Sequence, residues 1–437
     1  MRRLALLSAL CTACGVLDES PPPADPGRPG SFSPIGQLED GGAPRSESTQ
    51  PSNPTSPPAP EAPDRPLAVE FVPVVHDADA LRWTDLAFLP GPAPELLTVD
   101  KDGVVHHLRF EDDAVRTLGR FTIEETWDYK DAGLLSVTVD PRFLENGYFY
   151  VGLSTSQTRN IIQRHHLDPT DYEATRDSAT LVMEVEDPRA PRSWHNIGSI
   201  GFTDEGYLWA LFGDKVLDAE AQNPHTPLGA LVRVIPRGAP EGGYTVPPDN
   251  PFAEGLGHPG VYAIGLRSPW KGTYHDGRWW FGDVGLDTYE ELNRVDAPGQ
   301  NFGWPDIEGP CPASGCGETQ GPWDHYGRGA SDPYVRADVD ATPARHRSVW
   351  VGPVYRGDGG DRYGGRLDDT LLFGDAFSGF VRGRGVDDEA SVHVGHVWGV
   401  TGMAEGPDGY LYVTALGTWP IDAPTTQSAL YRVVLAD

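Results

Sequence analysis

The chain has 437 residues, enough for two average domains or for one large all-β domain such as a barrel or propeller. Its 64 acidic residues outnumber the 34 basic ones, and the formal charge of −30 disfavours binding to the phosphate backbone of nucleic acids. The 52 glycines and 42 prolines favour a turn-rich β protein with a proline-rich segment over a helical bundle.

Residues 1–14 have the pattern of an export signal. Two arginines precede a short apolar run that ends in small residues, and this run is too short for a stable membrane anchor. Thr12, Ala13 and Cys14 resemble a bacterial lipoprotein processing site, although Cys11 stands where that site usually has leucine. We therefore expect a periplasmic or cell-surface protein that is lipid-anchored through Cys14. A signal peptide that is cleaved without lipidation is the alternative interpretation.

Residues 15–65 are rich in proline, serine, glycine and acidic residues and contain almost no large apolar side chain. Such a segment cannot bury enough surface to offset the conformational entropy of the chain. We expect a disordered linker that separates the anchor from the folded domain.

From residue 66 to residue 437 short apolar stretches alternate with turns. Six stretches combine a turn of glycine or acidic residues with alternating aromatic and aliphatic residues, at 102–105, 146–151, 205–210, 276–281, 367–373 and 408–413. A turn followed by period-two alternation predicts a β-hairpin, and six copies predict the blades of an all-β, six-bladed propeller. The β-like ends, 67–75 and 428–434, could pair in one blade and so close the ring.

Cys311 and Cys316 flank a short loop that contains proline and glycine. In an exported protein, two cysteines this close predict a local disulfide. A metal site is a poor alternative, because two thiols alone do not complete a tetrahedral set of ligands.

Several short motifs follow one another along the chain, at 133–143, 195–202, 204–214, 247–252, 262–270, 280–285, 289–293, 301–309 and 406–413. Their order and spacing resemble the glucose/sorbosone dehydrogenase family, the soluble quinoprotein sugar dehydrogenases, over roughly Leu67 to Asp437. Because separate motifs agree in order, the match is more specific than any single motif. The resemblance implies a six-bladed β-propeller, in agreement with the count of repeats.

His195, Asp214 and Arg267 occupy positions where this family has reactive residues. The resemblance implies that His195 is the general base, which takes the proton of a sugar C1 hydroxyl while hydride passes to pyrroloquinoline quinone. It also implies that Asp214 orients this histidine and that Arg267 stabilises negative charge on the reduced quinone. The alternatives are a turn-capping histidine, a turn-forming aspartate and a salt-bridged arginine.

Four further positions correspond to ligand contacts in the family. Asp131 falls where the family has a polar residue that contacts substrate, and Ser268 replaces the asparagine that follows the key arginine. The resemblance implies that the backbone carbonyls of Gly285 and Leu286 hold a calcium ion that bridges to the cofactor, because calcium prefers hard oxygen ligands. A solvated acidic turn is the alternative for this segment.

Other cofactor-binding positions of the family are not kept. Phe377 stands in place of a lysine, and Gly399 and Thr401 stand near the positions of two arginines. The quinone carries three carboxylates, and charge-assisted hydrogen bonds to such cations would supply much of its affinity. Lys271, Arg382 and Arg384 are nearby in the sequence, but Arg382 and Arg384 lie beyond the aligned position and are weak substitutes, so Arg267 remains nearly alone.

The resulting hypothesis is an exported quinoprotein dehydrogenase that oxidises an aldose at C1 to the lactone and passes electrons to an unidentified acceptor. Its partners would be a small-molecule sugar and that acceptor, with membrane contact only through an N-terminal lipid. The alternative is a catalytically silent propeller that binds sugar, protein or metal at the same face, since a fold alone does not determine function. Hydrolysis, as in a lactonase, has no supporting nucleophile motif.

Overall fold

The computed structural model describes residues 66–76, 82–111, 114–190, 193–328, 347–387, 391–416 and 429–436. The predicted export signal, Cys14 and the linker lie outside these residues, as does the boundary between linker and domain. Within the described ranges, no helix has both the length and the apolar character needed to cross a membrane.

Almost all regular structure in the described residues is β-strand. The strands are β1 (Val69–His76), β2 (Trp83–Phe88), β3 (Glu95–Asp100), β4 (Val104–Glu111), β5 (Ala114–Thr122), β6 (Leu134–Val139), β7 (Tyr148–Ser154), β8 (Arg159–His166), β9 (Thr180–Glu186), β10 (Ile197–Phe202), β11 (Leu208–Phe212), β12 (Ala230–Pro236), β13 (Tyr244–Thr245), β14 (Val261–Ile264), β15 (Pro269–His275), β16 (Arg278–Asp283), β17 (Tyr289–Val295), β18 (Asp324–Gly327), β19 (Val349–Tyr355), β20 (Thr370–Asp375), β21 (Phe380–Gly385), β22 (Ser391–His396), β23 (Val400–Glu405), β24 (Leu411–Ala415) and β25 (Ala429–Leu435). The helices are short: α1 (Phe143–Asn146), α2 (Tyr172–Asp177) and a 3₁₀ helix (Asp218–Gln222).

The strands form six antiparallel sheets, so the predicted six-bladed propeller is confirmed. Blades 1 and 2 are β2–β5 and β6–β9, and blade 3 is β10–β13 with β14 added beside β12. Blades 4 and 5 are β15–β18 and β19–β22, and blade 6 has the order β1-β25-β24-β23. Most buried apolar side chains lie between neighbouring blades; in one cluster Leu135 and Tyr150 of blade 2 pack with Ile200 and Val232 of blade 3.

The first strand of the chain closes the ring. β1 runs antiparallel to β25, with Val69 opposite Leu435 and Phe71 opposite Val433, as the sequence predicted. The register shifts between Pro73 and Val75, where proline has no amide hydrogen to donate to a ladder. The pairing covers a sheet edge of blade 6 that would otherwise be open to another chain.

The recurrent turns explain the repeat in the sequence. Gly147, Gly206, Gly277 and Gly409 have φ values of 63°, 80°, 77° and 80°, a conformation that glycine adopts without a Cβ clash. The degenerate copy at 367–373 has no glycine, and there Asp369 takes the same left-handed conformation with φ 51°. Aspartate is one of the few other residues that tolerates this region, so the copy still forms a turn.

The six inner strands, β2, β6, β10, β15, β19 and β23, contact one another in a ring around the central channel. From the inner to the outer edge of each blade, neighbouring strands run in opposite directions, and the number of strands on this path is even. The chain therefore leaves each blade on the same face at which the next inner strand begins. Residues that immediately precede the inner strands therefore share one face, which we call the entry face. A cavity of about 570 Å³ lies towards the opposite face, lined by residues such as Phe88, Tyr274, Arg356 and Pro407.

Candidate active site

Aspartates at the corners of the blades bind backbone amides on the entry face. Asp100, Asp283 and Asp375 each end the second strand of a blade and accept hydrogen bonds from amides immediately before the first strand. In blade 4 the two donors are Arg267 and Ser268, at 2.9 and 2.6 Å. The predicted cofactor residue Ser268 is thus half-buried at a blade corner, with its amide bound to Asp283.

Asp214 holds the corresponding place in blade 3, where it binds two side chains as well as the amide of Val216, which lies 2.7 Å from Oδ1. Its Oδ1 lies 2.6 Å from His195 Nδ1, and its Oδ2 accepts a hydrogen bond of 2.9 Å from Trp304 Nε1. The carboxylate of Asp214 is fully buried and can only accept, so Nδ1 of His195 carries the proton and Nε2 carries the lone pair. This is the orientation that a general base on Nε2 requires.

The chain around this pair is tightly packed. A Cβ on Gly213 would lie 2.5 Å from the carbonyl oxygen of His195, so only glycine fits before Asp214. His195 itself has a left-handed φ of 54°, and Lys215 and Val216 follow Asp214 with φ values of 57° and 61°. Lys130 adds a fourth, with φ 57°. The remaining non-glycine residues of this kind in the described ranges, Asp276 and Asp369, occupy turns before the second strand of a blade, so the strained backbone concentrates at this site.

Arg267 lies beside the pair. Its backbone carbonyl accepts the amide hydrogen of Asp214 at 2.9 Å, and its guanidinium stacks near Trp304, with 5.4 Å from Cζ to the ring centroid. Nη1 donates to the carbonyl oxygens of Val284 and Gly285 at 2.8 and 2.7 Å. Nε is buried and makes no hydrogen bond within the described part of the chain. A buried donor without an acceptor is unfavourable, so an acceptor atom of a bound ligand fits at this position.

Asp131 approaches the same place from blade 2. The residue is partly open to solvent, yet loss of water around its carboxyl raises the pKa of this group. Electrostatic interactions with His195, Lys101 and Arg267 oppose the rise. The backbone amide of His195 also counteracts the rise in the pKa of this carboxyl. The structure therefore brings Asp131, His195, Asp214 and Arg267 together on the entry face, and their individual roles remain predictions.

Lys215 is a site residue that the sequence analysis missed. It is only 1% exposed, and its Nζ donates to Asn196 Oδ1 at 2.6 Å. Burial lowers the pKa of its ammonium to about 8, and the charge of Asp131 opposes this shift. A fully buried lysine is rare. The signal available in the sequence was its place directly after Asp214.

The carbonyl of Gly285 does not fit a calcium ion. Its oxygen accepts hydrogen bonds from the guanidinium groups of Arg267 and Arg328. Arg328 is also held by the fully buried carboxylate of Glu290, 2.6 Å away. A calcium ion at this oxygen would meet two cations, and its binding needs six to eight oxygen ligands. Leu286 is exposed and donates its amide hydrogen to Glu308 at 2.8 Å. The described residues also contain no cluster of three His, Cys, Asp or Glu side chains suited to a metal.

At the three positions where the family has cofactor-binding cations, this chain has residues without charge. Phe377 lies beside the exposed Arg347, whose Cζ is 6.0 Å from the ring centroid, so a cation from a neighbouring loop of blade 5 stands near the missing lysine. Thr401 is buried and donates its hydroxyl hydrogen to the carbonyl of Trp83 at 2.7 Å. Gly399 has a φ of 69° and no space for a side chain, since a Cβ would lie 2.8 Å from the carbonyl oxygen of Leu416.

Arg382, Arg384 and Lys271, the other cations near these positions in the sequence, lie on strands of blades 5 and 4. Arg382 and Arg384 are on β21, the third strand of blade 5, where Arg384 pairs with Asp324 at 2.5 Å. Lys271 faces the channel and pairs with Asp85 at 3.2 Å. Arg384 and Lys271 are thus paired with carboxylates of neighbouring or opposite blades.

The predicted disulfide between Cys311 and Cys316 is present, with the two Cα atoms 5.0 Å apart. It closes a loop that follows the segment containing Trp304.

The fold and the site define a class of protein: a six-bladed propeller whose entry face brings together a histidine bound to a buried carboxylate and an arginine whose Nε makes no hydrogen bond within the described residues. The chain belongs to the Glucose / Sorbosone dehydrogenase family, whose model matches residues 82–417. The family resemblance found in the sequence is thereby confirmed.

Relatives of known sequence cover parts of the chain. The HIPL1 protein of Arabidopsis thaliana is 31% identical over 180 residues, which are 36% of this chain and 26% of that protein. The aldose sugar dehydrogenase YliI of Escherichia coli is 24% identical over 232 residues, 50% of this chain and 58% of that one. The human Hedgehog-interacting protein is 28% identical over 158 residues, 31% and 22% of the two chains. The chain thus spans less than two thirds of each of these relatives.

Solved structures resemble the whole propeller. The aldose sugar dehydrogenase from Streptomyces coelicolor, in its PQQ-bound form, has a TM-score of 0.64 and 18% identity, and the match covers 85% of this chain and 99% of that one. The soluble aldose sugar dehydrogenase from Escherichia coli, in its apo form, has a TM-score of 0.61 and 17% identity, with coverages of 84% and 100%. At these identities the likeness establishes the fold.

Proposed function

We propose that the protein is a sugar dehydrogenase that uses pyrroloquinoline quinone to oxidise an aldose at C1 to the lactone. The observation that carries this proposal is the bond between His195 Nδ1 and Asp214, which leaves a lone pair on Nε2 at a site that also holds Arg267 with its unused Nε donor. Membership of the Glucose / Sorbosone dehydrogenase family and the likeness to aldose sugar dehydrogenases support the same reaction.

His195 takes the proton in this reaction. Nε2 accepts the proton of the C1 hydroxyl as the C1–O bond becomes a carbonyl, and the imidazolium that forms is stabilised by the carboxylate of Asp214. Trp304 keeps the carboxylate in place through Oδ2. Pyrroloquinoline quinone, when bound, supplies the two-electron acceptor for the hydride that leaves C1.

The chain offers a reduced set of groups to hold this cofactor. The Nε–H of Arg267 would donate to an acceptor oxygen, and Arg347 and Lys215 would add positive charge near the entry face. No step is assigned to calcium, because the carbonyl of Gly285 is already bound by two guanidinium groups.

We infer that the protein is exported and held at a membrane by a lipid on Cys14, and that its electrons pass to an acceptor outside the cytoplasm. The basis is the sequence of residues 1–14 alone.

A second candidate is a propeller without redox activity that binds another protein at this face. Phe377, Gly399 and Thr401 in place of cofactor-binding cations favour it, and so does the likeness to the Hedgehog-interacting protein, a relative named for binding a protein. A protein-binding role makes no use of the buried contact between His195 and Asp214, which is why we prefer the dehydrogenase.

The test combines cofactor binding with catalysis. Wild-type protein is mixed with pyrroloquinoline quinone and a sugar panel, and His195→Ala is compared with His166→Ala, an exposed histidine of blade 2. We expect His195→Ala to lower turnover by about 100- to 10,000-fold, as for loss of a positioned base, with cofactor absorbance on binding retained. His166→Ala should match wild type. A wild-type protein that fails to bind the quinone at micromolar concentration would favour the second candidate.

A further inference from the structure

Exposed aromatic side chains of the described residues gather beside the candidate active site. Tyr129 is 56% exposed and Trp194 is 41% exposed, and the other exposed large apolar side chains of the described ranges are leucines. Trp194 directly precedes His195, and Tyr129 lies two residues before Asp131. Both rings are therefore at the rim of the site that would hold the reacting sugar.

The two rings form one surface. Lys130 Nζ lies 5.4 Å from the centroid of Tyr129 and 5.8 Å from that of Trp194, so the lysine joins both rings through cation–π contacts. The half-buried Trp127 extends the surface, with 5.9 Å between its ring centroid and that of Tyr129. We call Trp127, Tyr129 and Trp194 the aromatic platform.

The loop that bears Trp127 and Tyr129 is held in place. The amide of Trp127 donates to the carbonyl of Ser154 at 2.8 Å, and the amide of Ala132 donates to that of Tyr129 at 3.0 Å. Lys101 Nζ donates to the carbonyl oxygen of Asp128 at 2.9 Å. Because the loop is ordered before any ligand arrives, binding to it costs little additional conformational entropy.

The chemistry of the platform suits a neutral sugar ring. One face of a pyranose consists of C–H groups, which carry partial positive charge, and the face of an aromatic ring carries partial negative charge. Asp131 and Lys130, both exposed beside the rings, can bond the hydroxyl groups at the edge of such a sugar. The formal charge of −30 disfavours anionic sugars over neutral ones.

We propose that the aromatic platform is a subsite for a second, non-reacting ring, so that the preferred substrates are neutral disaccharides or longer saccharides with a free reducing end. The reducing-end ring would lie at His195, and the next ring would stack on Tyr129 and Trp194. The order of the two rings rests on the proposed dehydrogenase function, whereas stacking on the platform does not.

The test measures binding without cofactor. Calorimetric titration of the full-length protein with glucose, maltose and cellobiose should show that at least one disaccharide binds more tightly than glucose. Aromatic stacking contributes about 0.5–1.5 kcal/mol beyond the buried area, so Trp194→Ala and Tyr129→Ala should each weaken disaccharide binding by about 2- to 10-fold and leave glucose binding unchanged. Leu144→Ala, which removes an exposed leucine of α1 beyond the inner strand of blade 2, is the matched control.

The outcomes separate the platform from the dehydrogenase. Equal weakening of glucose and disaccharide, or no weakening in variants with wild-type melting temperatures, overturns the platform. Selective weakening supports it, even where no turnover is seen with the quinone, and that pattern would count against the dehydrogenase alone. If turnover occurs, kcat/KM for the disaccharide should fall with binding in Trp194→Ala, whereas His195→Ala should keep binding and lose turnover.

Discussion

Lys271 and Asp85 form an ion pair in the central channel, with 3.2 Å between Nζ and Oδ2. Lys271 is on β15 of blade 4 and Asp85 is on β2 of blade 1, so the pair joins blades on opposite sides of the ring. Lys271 also donates to the carbonyl of Leu135 in blade 2 at 2.8 Å. Burial raises the pKa of Asp85 and lowers that of Lys271, and each charge opposes the shift of the other.

Removing one partner of this pair should destabilise the propeller. Lys271→Met leaves a buried carboxylate without its cation, and breaking such pairs costs about 3–5 kcal/mol of unfolding free energy. The combination of Lys271→Met with Asp85→Leu should recover most of the loss, because no charge is left buried. Chemical denaturation of both variants provides the measurement. A double variant as unstable as the single one would show that the ion pair is not the cause.

Asp214→Asn should lower turnover by about 100- to 10,000-fold with little change in sugar binding. His195 and Trp304 donate to different oxygens of the carboxylate, and an amide keeps only one of these as an acceptor, so one hydrogen bond is lost and the imidazole is no longer held in one tautomer. Steady-state kinetics and the nitrogen chemical shifts of His195 report the two effects separately. Trp304→Phe, which removes only the Oδ2 contact, should reduce turnover less. Unchanged imidazole shifts in Asp214→Asn would contradict this role.

The buried Lys215 should make stability depend on pH in the alkaline range. Its pKa falls from 10.5 in the unfolded chain to about 8 in the folded protein because of burial. Between these values the unfolded state binds more protons, so the unfolding free energy rises with pH, by at most about 1.4 kcal/mol per unit from one group. Below pH 8 both states are protonated and no slope arises from this residue.

Lys215→Met removes the titrating group, so wild type should gain stability relative to this variant as pH rises from about 8 to about 10. Lys130→Met, at an exposed lysine of the same face, serves as the control and should keep the wild-type slope. Unfolding curves collected at several pH values give the comparison. Parallel curves for wild type and Lys215→Met would rule out the assigned shift.

Chelation of divalent ions should leave quinone binding unchanged, because guanidinium groups of Arg267 and Arg328 occupy the carbonyl oxygen of Gly285. Absorbance titrations with and without EDTA should give dissociation constants that agree within about twofold, less than 0.5 kcal/mol. Recovery of lost affinity on adding calcium back would show that the ion does bind here and that the two arginines move.

Reduction of the disulfide between Cys311 and Cys316 should have a modest effect. The bond spans a sequence separation of 5 residues, and the chain-entropy model gives about 2 kcal/mol for so short a loop. Thermal unfolding with and without reductant measures the change, and mass spectrometry of the unreduced protein checks that the bond is formed. A loss comparable to that from Lys271→Met would mean that the loop contributes more than chain entropy.

The architecture could be read from the sequence because its signals are local. Each hairpin is marked by a turn and a period-two pattern within about ten residues. Even the degenerate copy forms its turn, with Asp369 in the left-handed conformation. Ring closure by β1 followed from β-like stretches at both ends and from the instability of an open edge. The approximate position of the site followed in the same way, from motifs that contain His195 and Arg267.

The chemistry of the site depended on tertiary contacts. Phe-Gly-Asp occurs at 212–214, 281–283 and 373–375, yet only in the first does the aspartate bind a histidine side chain, with a tryptophan 90 residues away as a further donor. The burial of Lys215 and the hydrogen bonds of two arginines to the carbonyl of Gly285 also depend on residues far apart in the sequence. A local pattern sets which residues form a strand or turn, whereas the packing of separate blades decides which side chains meet, which charges lose water and which carbonyls are already occupied.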